Sequence, residues 1–292
     1  MTKKIILVTG GNGFLGSKIV EELISQGYFV KILTRKAKQN ISHQNIEYII
    51  GDLNDYSSLI LALEGCYGVI HAAGEKRDVN KMYQVNVEGT KNITKAALTS
   101  NIKYFCLLSS VGVIGYNSKK ILDETSKCYP LNEYEKTKLE AEVFFKNNFY
   151  KTDCNSVIIR PTNVFGYDHI DFNQSFSSKI KRWIKGNEIA NYIYVKDVAI
   201  ACSYFLNTKT FYNNEVFIIN QEKEALKFKD IYSIVNKTKT KFYPPIQIPW
   251  FLRYIKQGKN NLGNKYYSIN KITDTGFKNK YNINKAIEDL LS

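Results

Sequence analysis

Five residues, Lys4-Ile5-Ile6-Leu7-Val8, carry an apolar run with no alternation, the pattern of a strand covered on both faces in a parallel sheet. The run enters Gly10-Gly11-Asn12-Gly13-Phe14-Leu15-Gly16. A helix over 17–26 follows, with Ile19, Val20, Leu23 and Ile24 at helical spacing and Gly27 at the C-cap position. A second apolar run, Phe29-Val30-Lys31-Ile32-Leu33, completes a strand–turn–helix–strand unit. The same alternation predicts strands at 46–50, 68–72, 104–109 and 156–160, and helices at 56–64, 85–100 and 132–150. Repeated β-then-α units mean a doubly wound parallel sheet. After Gly166 the pattern loosens, and Pro244, Pro245 and Pro249 fall in this stretch. Segments 193–205 and 215–219 read as a strand and a helix returning to the sheet. The expected division is therefore a sheet domain over 1–166, joined by 192–220, and a smaller discontinuous lobe from 167–191 and 221–292.

Composition narrows the reading. With 292 residues and 44% hydrophobic content, the chain can bury a full core without metal or disulfide staples. Mean hydropathy is −0.30, and no apolar run approaches the roughly 20 residues of a spanning helix, so no membrane span is expected. The apolar stretch after Lys3 and Lys4 ends at Thr9-Gly10-Gly11, too early for a signal peptide, which points to a cytoplasmic protein. Five cysteines, none in a CxxC pair, fit reduced thiols, and three histidines lack metal-ligand spacing. The formal charge of +14 invites a nucleic-acid reading. Arginine, however, occurs only at positions 35, 77, 160, 182 and 253, and the lysines are scattered as an AT-rich genome would scatter them. No nucleic-acid partner is expected.

The glycine run has the context a phosphate cradle needs: it follows a strand and opens a helix, whose N-terminus favours a pyrophosphate. The spacing Gly10, Gly13, Gly16 after a threonine resembles the short-chain dehydrogenase/reductase superfamily, and Phe14-Leu15-Gly16 resembles its extended branch. That resemblance implies a Rossmann-type fold that binds NAD or NADP. An acid at the end of the second strand would select NAD through the ribose hydroxyls. Thr34-Arg35-Lys36 stands there instead, so NADP is expected, with Arg35 forking the phosphate, Lys36 adding charge, and NAD as second choice. The resemblance also places Asp52 and Leu53 at the adenine and Ala72, Ala73 and Gly74 beneath the cofactor. His71 becomes a packing residue and Asn86 a strut between strands. Taken alone, an Asp after a strand reads as a helix N-cap.

Tyr134 and Lys138 stand at i and i+4 on one helix face. A nearby ammonium lowers a phenol's pKa and lets Tyr134 pass a proton to or from a carbonyl oxygen while hydride moves at the same carbon. YxxxK is a common pattern, but Asp123-Glu124-Thr125, Pro130 and Glu142 surround it as in extended family members. The family's catalytic hydroxyl lies five positions before a glycine. Gly115 sets that register and points to Ser110, with Ser109 the neighbour to be confused with it. Arg160-Pro161-Thr162-Asn163-Val164-Phe165-Gly166 resembles the family's Arg-Pro-x-Asn-Val-Tyr-Gly, which implies Pro161 at the cofactor and Asn163 at a substrate diphosphate. Tyr194-Val195-Lys196-Asp197-Val198-Ala199 resembles His-Val-x-Asp-Val-Ala.

The resemblance implies an oxidoreductase acting on a nucleotide sugar. NADP would suit net reduction of a 4-keto-sugar, whereas a retained NAD would suit a 4-epimerase or dehydratase. Ile248-Pro249-Trp250-Phe251-Leu252 resembles members that reduce steroid- or flavonoid-like ketones. A non-catalytic NADP sensor or RNA-binding relative would use the same lobe, but would not need the Ser–Tyr–Lys set. A homodimer paired through the helices at 85–100 and 132–150 is expected.

Overall fold

A computed structural model describes residues 4–36, 43–115, 117, 119–166, 188–222, 226–235 and 265–291. Its strands are β1 (Ile5–Thr9), β2 (Phe29–Thr34), β3 (Ile46–Ile50), β4 (Gly68–His71), β5 (Tyr104–Leu108), β6 (Ile121–Leu122), β7 (Asn155–Pro161), β8 (Asn163–Phe165), β9 (Tyr192–Tyr194), β10 (Glu215–Ile219) and β11 (Tyr266–Tyr267). Its helices are α1 (Phe14–Ser25), α2 (Tyr56–Leu63), α3 (Val79–Met82), α4 (Gly89–Thr99), α5 (Glu133–Phe149), α6 (Val195–Tyr204), α7 (Phe228–Val235), α8 (Asn270–Asp274) and α9 (Ile283–Leu291).

Seven strands form one parallel sheet in the order β3-β2-β1-β4-β5-β7-β10. Alternate residues of β1 face opposite layers, which is why the run lacks polar positions. Ile6 and Val8 pack with Ile19, Val20 and Leu23 of α1 and with Val198 and Cys202 of α6. Leu7 faces the other way, onto the layer built by Leu59 of α2, Ile93 of α4, and Phe145 and Phe149 of α5. Because every strand is parallel, all C-terminal ends share one edge. The strand order reverses there between β1 and β4, which opens the crevice where such sheets bind ligands.

Four local features differ from the sequence expectation. The segment expected as one helix over 85–100 starts earlier, at Val79, and passes through a π-helical stretch, Tyr83–Glu88, before α4. Asp52 does not cap α2. Asp55 does, accepting from the amides of Ser57 and Ser58, while Asp52 accepts from Asn54 two residues on. The strand at 192–194 does not join the main sheet but pairs with β8. Finally, β11 pairs with β6 in a second small ladder. Residues 167–187, 223–225 and 236–264, which include the Ile248–Leu252 motif and most of the expected second lobe, lie outside the described residues.

The C-terminal chain is tied back onto the segment that follows β9. Asp197 is fully buried; its carboxylate accepts from the amides of Lys280 and Tyr281 and from the Gln221 side chain at 2.9 Å. Burial pushes its pKa up despite these three donors. The Tyr194 hydroxyl donates to Asp289, and Lys196 pairs with the same carboxylate at 2.6 Å. Among the described residues no helix is long and apolar enough to cross a membrane, and no group of His, Cys, Asp and Glu has a metal-holding arrangement.

Candidate active site

The glycine loop turns because two of its glycines cannot carry a side chain. Gly10 has φ +70°, and a Cβ there would fall 2.7 Å from the Ala73 amide nitrogen, backbone against backbone at the end of β4. A Cβ on Gly16 would fall 2.0 Å from the Gly10 carbonyl oxygen. Gly13 is the N-cap of α1 and supplies no side-chain cap, so the first-turn amides keep their donors available. The Phe14 ring lies where a Cβ on Gly166 would stand, and Leu15 is partly buried against the core. Such a cradle at the start of a twelve-residue helix fits a dinucleotide pyrophosphate. At its margin the Thr34 hydroxyl donates to the Lys36 carbonyl at 2.9 Å and accepts from Asn12 Nδ2 at 3.3 Å. The opposite atom, Asn12 Oδ1, is buried without a hydrogen-bond partner among the described residues, an acceptor left for a ligand. Arg35 and Lys36 follow, both exposed. Leu53 is held by Asn92, which donates to its carbonyl at 2.9 Å.

Across β1 and β4 runs a chain of buried polar groups. Thr90 donates its hydroxyl proton to the Asn86 carbonyl at 2.6 Å, so its oxygen can only accept from His71 Nε2, 3.0 Å away. His71 is thereby fixed as the Nε2–H tautomer, and Nδ1 accepts from the Thr9 hydroxyl at 2.6 Å. Asn86 Nδ2 donates to the Glu75 carbonyl and to Thr137 Oγ1, and Thr137 donates to the Tyr134 carbonyl. The strand end before the glycine loop is thus bonded through to α5. Asn86 does more than strut two strands, and His71 more than pack. The sequence marks Thr9 only as the threonine before the glycines; its bonds to His71 and Ala73 span 62 and 64 positions and cannot be read from spacing.

Burial, and then the charge of Lys138, hold His71 far below its usual pKa, at about 3. An unfolded chain takes up this proton near pH 6.5, which the native state refuses until far lower pH. The contribution to stability is therefore complete above pH 6.5 and falls by roughly 1.4 kcal/mol per pH unit below it. Urea unfolding at pH 7.5, 6 and 5 is expected to show that decline, and His71→Gln to remove this part of it.

On α5, Asn132 caps the helix by accepting from the Glu135 amide at 3.0 Å, which starts the helix one residue before Tyr134. Tyr134 is half-buried, and Lys138 lies one turn on and is buried. The Lys138 ammonium donates to the Leu108 carbonyl, at the end of β5, at 2.6 Å. Burial draws its pKa down to about 8, with Glu142 opposing, so it remains largely cationic at neutral pH. The expected depression of the Tyr134 pKa by Lys138 is not found. The ammonium is committed to Leu108, and loss of water, then the Glu135 charge, push the phenol up. Tyr134 is a protonated phenol in this state.

Ser110 caps the short 3₁₀ turn Val111–Ile114, its Oγ accepting from the Gly112 amide at 3.1 Å. The hydroxyl proton is left to donate elsewhere. Ser109 is buried, and its hydroxyl has no hydrogen-bond partner among the described residues, while its backbone N–H donates to the Ile159 carbonyl at 2.8 Å. Pro161 ends β7, buried. Asn163 is exposed, but its Nδ2 already donates to the Asn191 carbonyl at 2.9 Å. The predicted residues from β1, β2, β4, β5, α5 and β7 therefore gather along one edge of the sheet.

Residues 6–219 match the NAD dependent epimerase/dehydratase family. A sterol-4-alpha-carboxylate 3-dehydrogenase (decarboxylating) from Dictyostelium discoideum is 32% identical over 65% of this chain and 62% of its own length. An Escherichia coli O157:H7 N-acetyl-alpha-D-glucosaminyl-diphospho-ditrans,octacis-undecaprenol 4-epimerase is 35% identical over 55% of this chain and 49% of its own. The chain thus spans less than two thirds of the length of these curated relatives. The fold of a UDP-glucose 4-epimerase from Thermotoga maritima, solved with UDP-glucose, superposes with a TM-score of 0.75. That likeness covers 98% of this chain and 97% of the other at 19% identity.

Proposed function

Because the chain belongs to the NAD dependent epimerase/dehydratase family, we propose that it is an NADP-dependent reductase of a 4-keto-sugar carried on a nucleoside diphosphate. The observation that carries the cofactor choice is the end of β2. Arg35 and Lys36 are exposed beside the glycine loop with no carboxylate following Thr34. The residues that would hold the cofactor are Gly10, Gly13, Phe14, Leu15, Arg35, Lys36, Asp52, Leu53, Ala72, Ala73, Gly74 and Pro161, with Tyr134 and Lys138 at its reactive end. When bound, the nicotinamide supplies hydride.

The rest is done by the protein. Tyr134, a neutral phenol, gives its proton to the substrate carbonyl oxygen, the role reduction requires. Ser110, with its proton available, donates to the same oxygen. Lys138 holds a positive charge one helical turn from the phenolate that forms, and Glu142 favours that charge. We assign Asn163 to the substrate diphosphate, on its match to the family's Arg-Pro-x-Asn segment. We assign 1–166 with 192–220 to the cofactor lobe, and 167–191 with 221–292 to the substrate lobe. A homodimer through α4 and α5 is consistent with exposed Tyr83 and Val143 beside and on those helices. Five free cysteines suit a cytoplasmic setting.

The test is NADPH and NADH oxidation over a panel of UDP-, dTDP- and GDP-4-keto-sugars. NADPH is expected to bind at least tenfold more tightly than NADH, and Arg35→Ala to erase most of that margin. A 4-epimerase is the second reading, favoured by the relative that acts on a diphosphate-linked sugar. NAD retained tightly through purification, with epimerisation and no net oxidation, would replace the reductase with that reading.

A further inference from the structure

Glu135 follows Tyr134 in the first turn of α5, half-buried, and its two carboxylate oxygens have different surroundings. Oε2 accepts from the Leu131 amide at 2.7 Å, while the Glu135 amide donates to Asn132 Oδ1 at 3.0 Å. This reciprocal pair closes the start of the helix and accounts for one oxygen. The other, Oε1, makes no hydrogen bond among the described residues.

Oε1 lies against the turn that carries Ser110. Gly112 has no side chain, and a Cβ there would stand 3.0 Å from Glu135 Cγ, 3.4 Å from Glu135 Oε1 and 3.3 Å from Ser110 Oγ. The uncommitted carboxylate oxygen and the hydroxyl assigned to the substrate carbonyl therefore border one small space. Two phenols also feel the charge. Burial first, and then Glu135, push up the pKa of Tyr134 and, to about 12, that of Tyr267. A carboxylate so placed can only accept hydrogen bonds. We propose that Glu135 determines substrate specificity: its Oε1 accepts from a hydroxyl at a position adjoining the substrate's carbonyl, and its charge turns away sugars with a carboxylate there. The proposal rests on the reading of the substrate as a nucleotide-linked 4-keto-sugar whose carbonyl oxygen meets Ser110 and Tyr134. With that oxygen on Ser110, the substituents of the adjoining ring carbons are the groups that can reach Oε1.

Calorimetry with UDP-, dTDP- and GDP-hexoses, NADP being present, identifies the carrier that the wild type prefers. On that carrier the parent hexose, its 3-deoxy and 6-deoxy forms and the hexuronic acid are compared. The wild type is expected to bind the parent about tenfold or more tightly than one of the deoxy forms, and the uronic acid weakly. In Glu135→Gln the amide oxygen keeps the Leu131 bond, as Gln does in a capping box, and the amide NH2 turns to the crevice, so an acceptor becomes a donor. This variant should lose the preference for the hydroxyl and bind the uronic acid about tenfold better than the wild type does. Its NADPH affinity and urea midpoint should not change. A Glu135 that only caps the helix would move none of these ratios. If the wild type binds parent and deoxy sugars alike, or its preference survives in Glu135→Gln, the assignment of Glu135 is overturned while the functional reading stands. If the wild type binds no hexose on any carrier, the functional reading fails and the proposal with it.

Discussion

Tyr134→Phe is expected to lower turnover by about 100- to 10,000-fold, the range a positioned general acid contributes, while leaving NADPH affinity within a few fold. The change removes one oxygen atom from a half-buried ring and keeps the ring's packing. Its hydroxyl makes no hydrogen bond to another described residue, so no structural bond is lost with the proton. Fluorescence titration with NADPH and single-turnover oxidation measure the two quantities separately. Retained turnover would remove Tyr134 from the chemistry, and retained biological activity without turnover would favour a sensor.

Glu142→Ala is expected to destabilise the fold by about 3–5 kcal/mol. Glu142 and Arg160 form a bidentate pair, Nε to Oε1 at 2.9 Å and Nη2 to Oε2 at 2.6 Å, with side chains 1% and 4% exposed. Removing the acid leaves a guanidinium in the interior without its counter-charge. Its Nη1 already lacks a hydrogen-bond partner among the described residues, so it has little to fall back on. The double change Glu142→Leu with Arg160→Met takes both charges away and should recover much of the loss. Urea unfolding of the two variants measures the difference. A second effect follows on Lys138, because Glu142 supports its charge; the double variant should remain folded yet react more slowly at neutral pH.

The sequence makes legible whatever depends on neighbours along the chain. The strand–glycine loop–helix unit and the helix carrying Tyr134 and Lys138 both rest on spacings of five residues or fewer. Features that depend on distant partners are not legible. The π-helical stretch at Tyr83–Glu88 has no periodic signature, and the helix before it reads Val79-Asn80-Lys81-Met82, without a continuous apolar stripe. Asp52 and Asp55 are equivalent as letters, and only the path after β3 decides that Asp55 caps α2. Lys138 pairs with a carbonyl 30 positions away rather than with Tyr134, and burial, then the Glu135 charge, push the phenol's pKa up, against the expected direction.

The buried carboxylate of Asp197 bears on how the protein is made. The seven-stranded sheet has all its strands once Ile219 has left the ribosome, and the whole cofactor crevice is then present in the nascent chain. Asp197 at that moment lacks the amides of Lys280 and Tyr281, which come later in the chain and which it needs to sit in the interior. A chain that has reached only Ile219 therefore carries an acid that prefers water, and the segment around Lys280 and Tyr281 is what permits it to be enclosed. Arrival of that segment, more than completion of the sheet, sets when this fold can close.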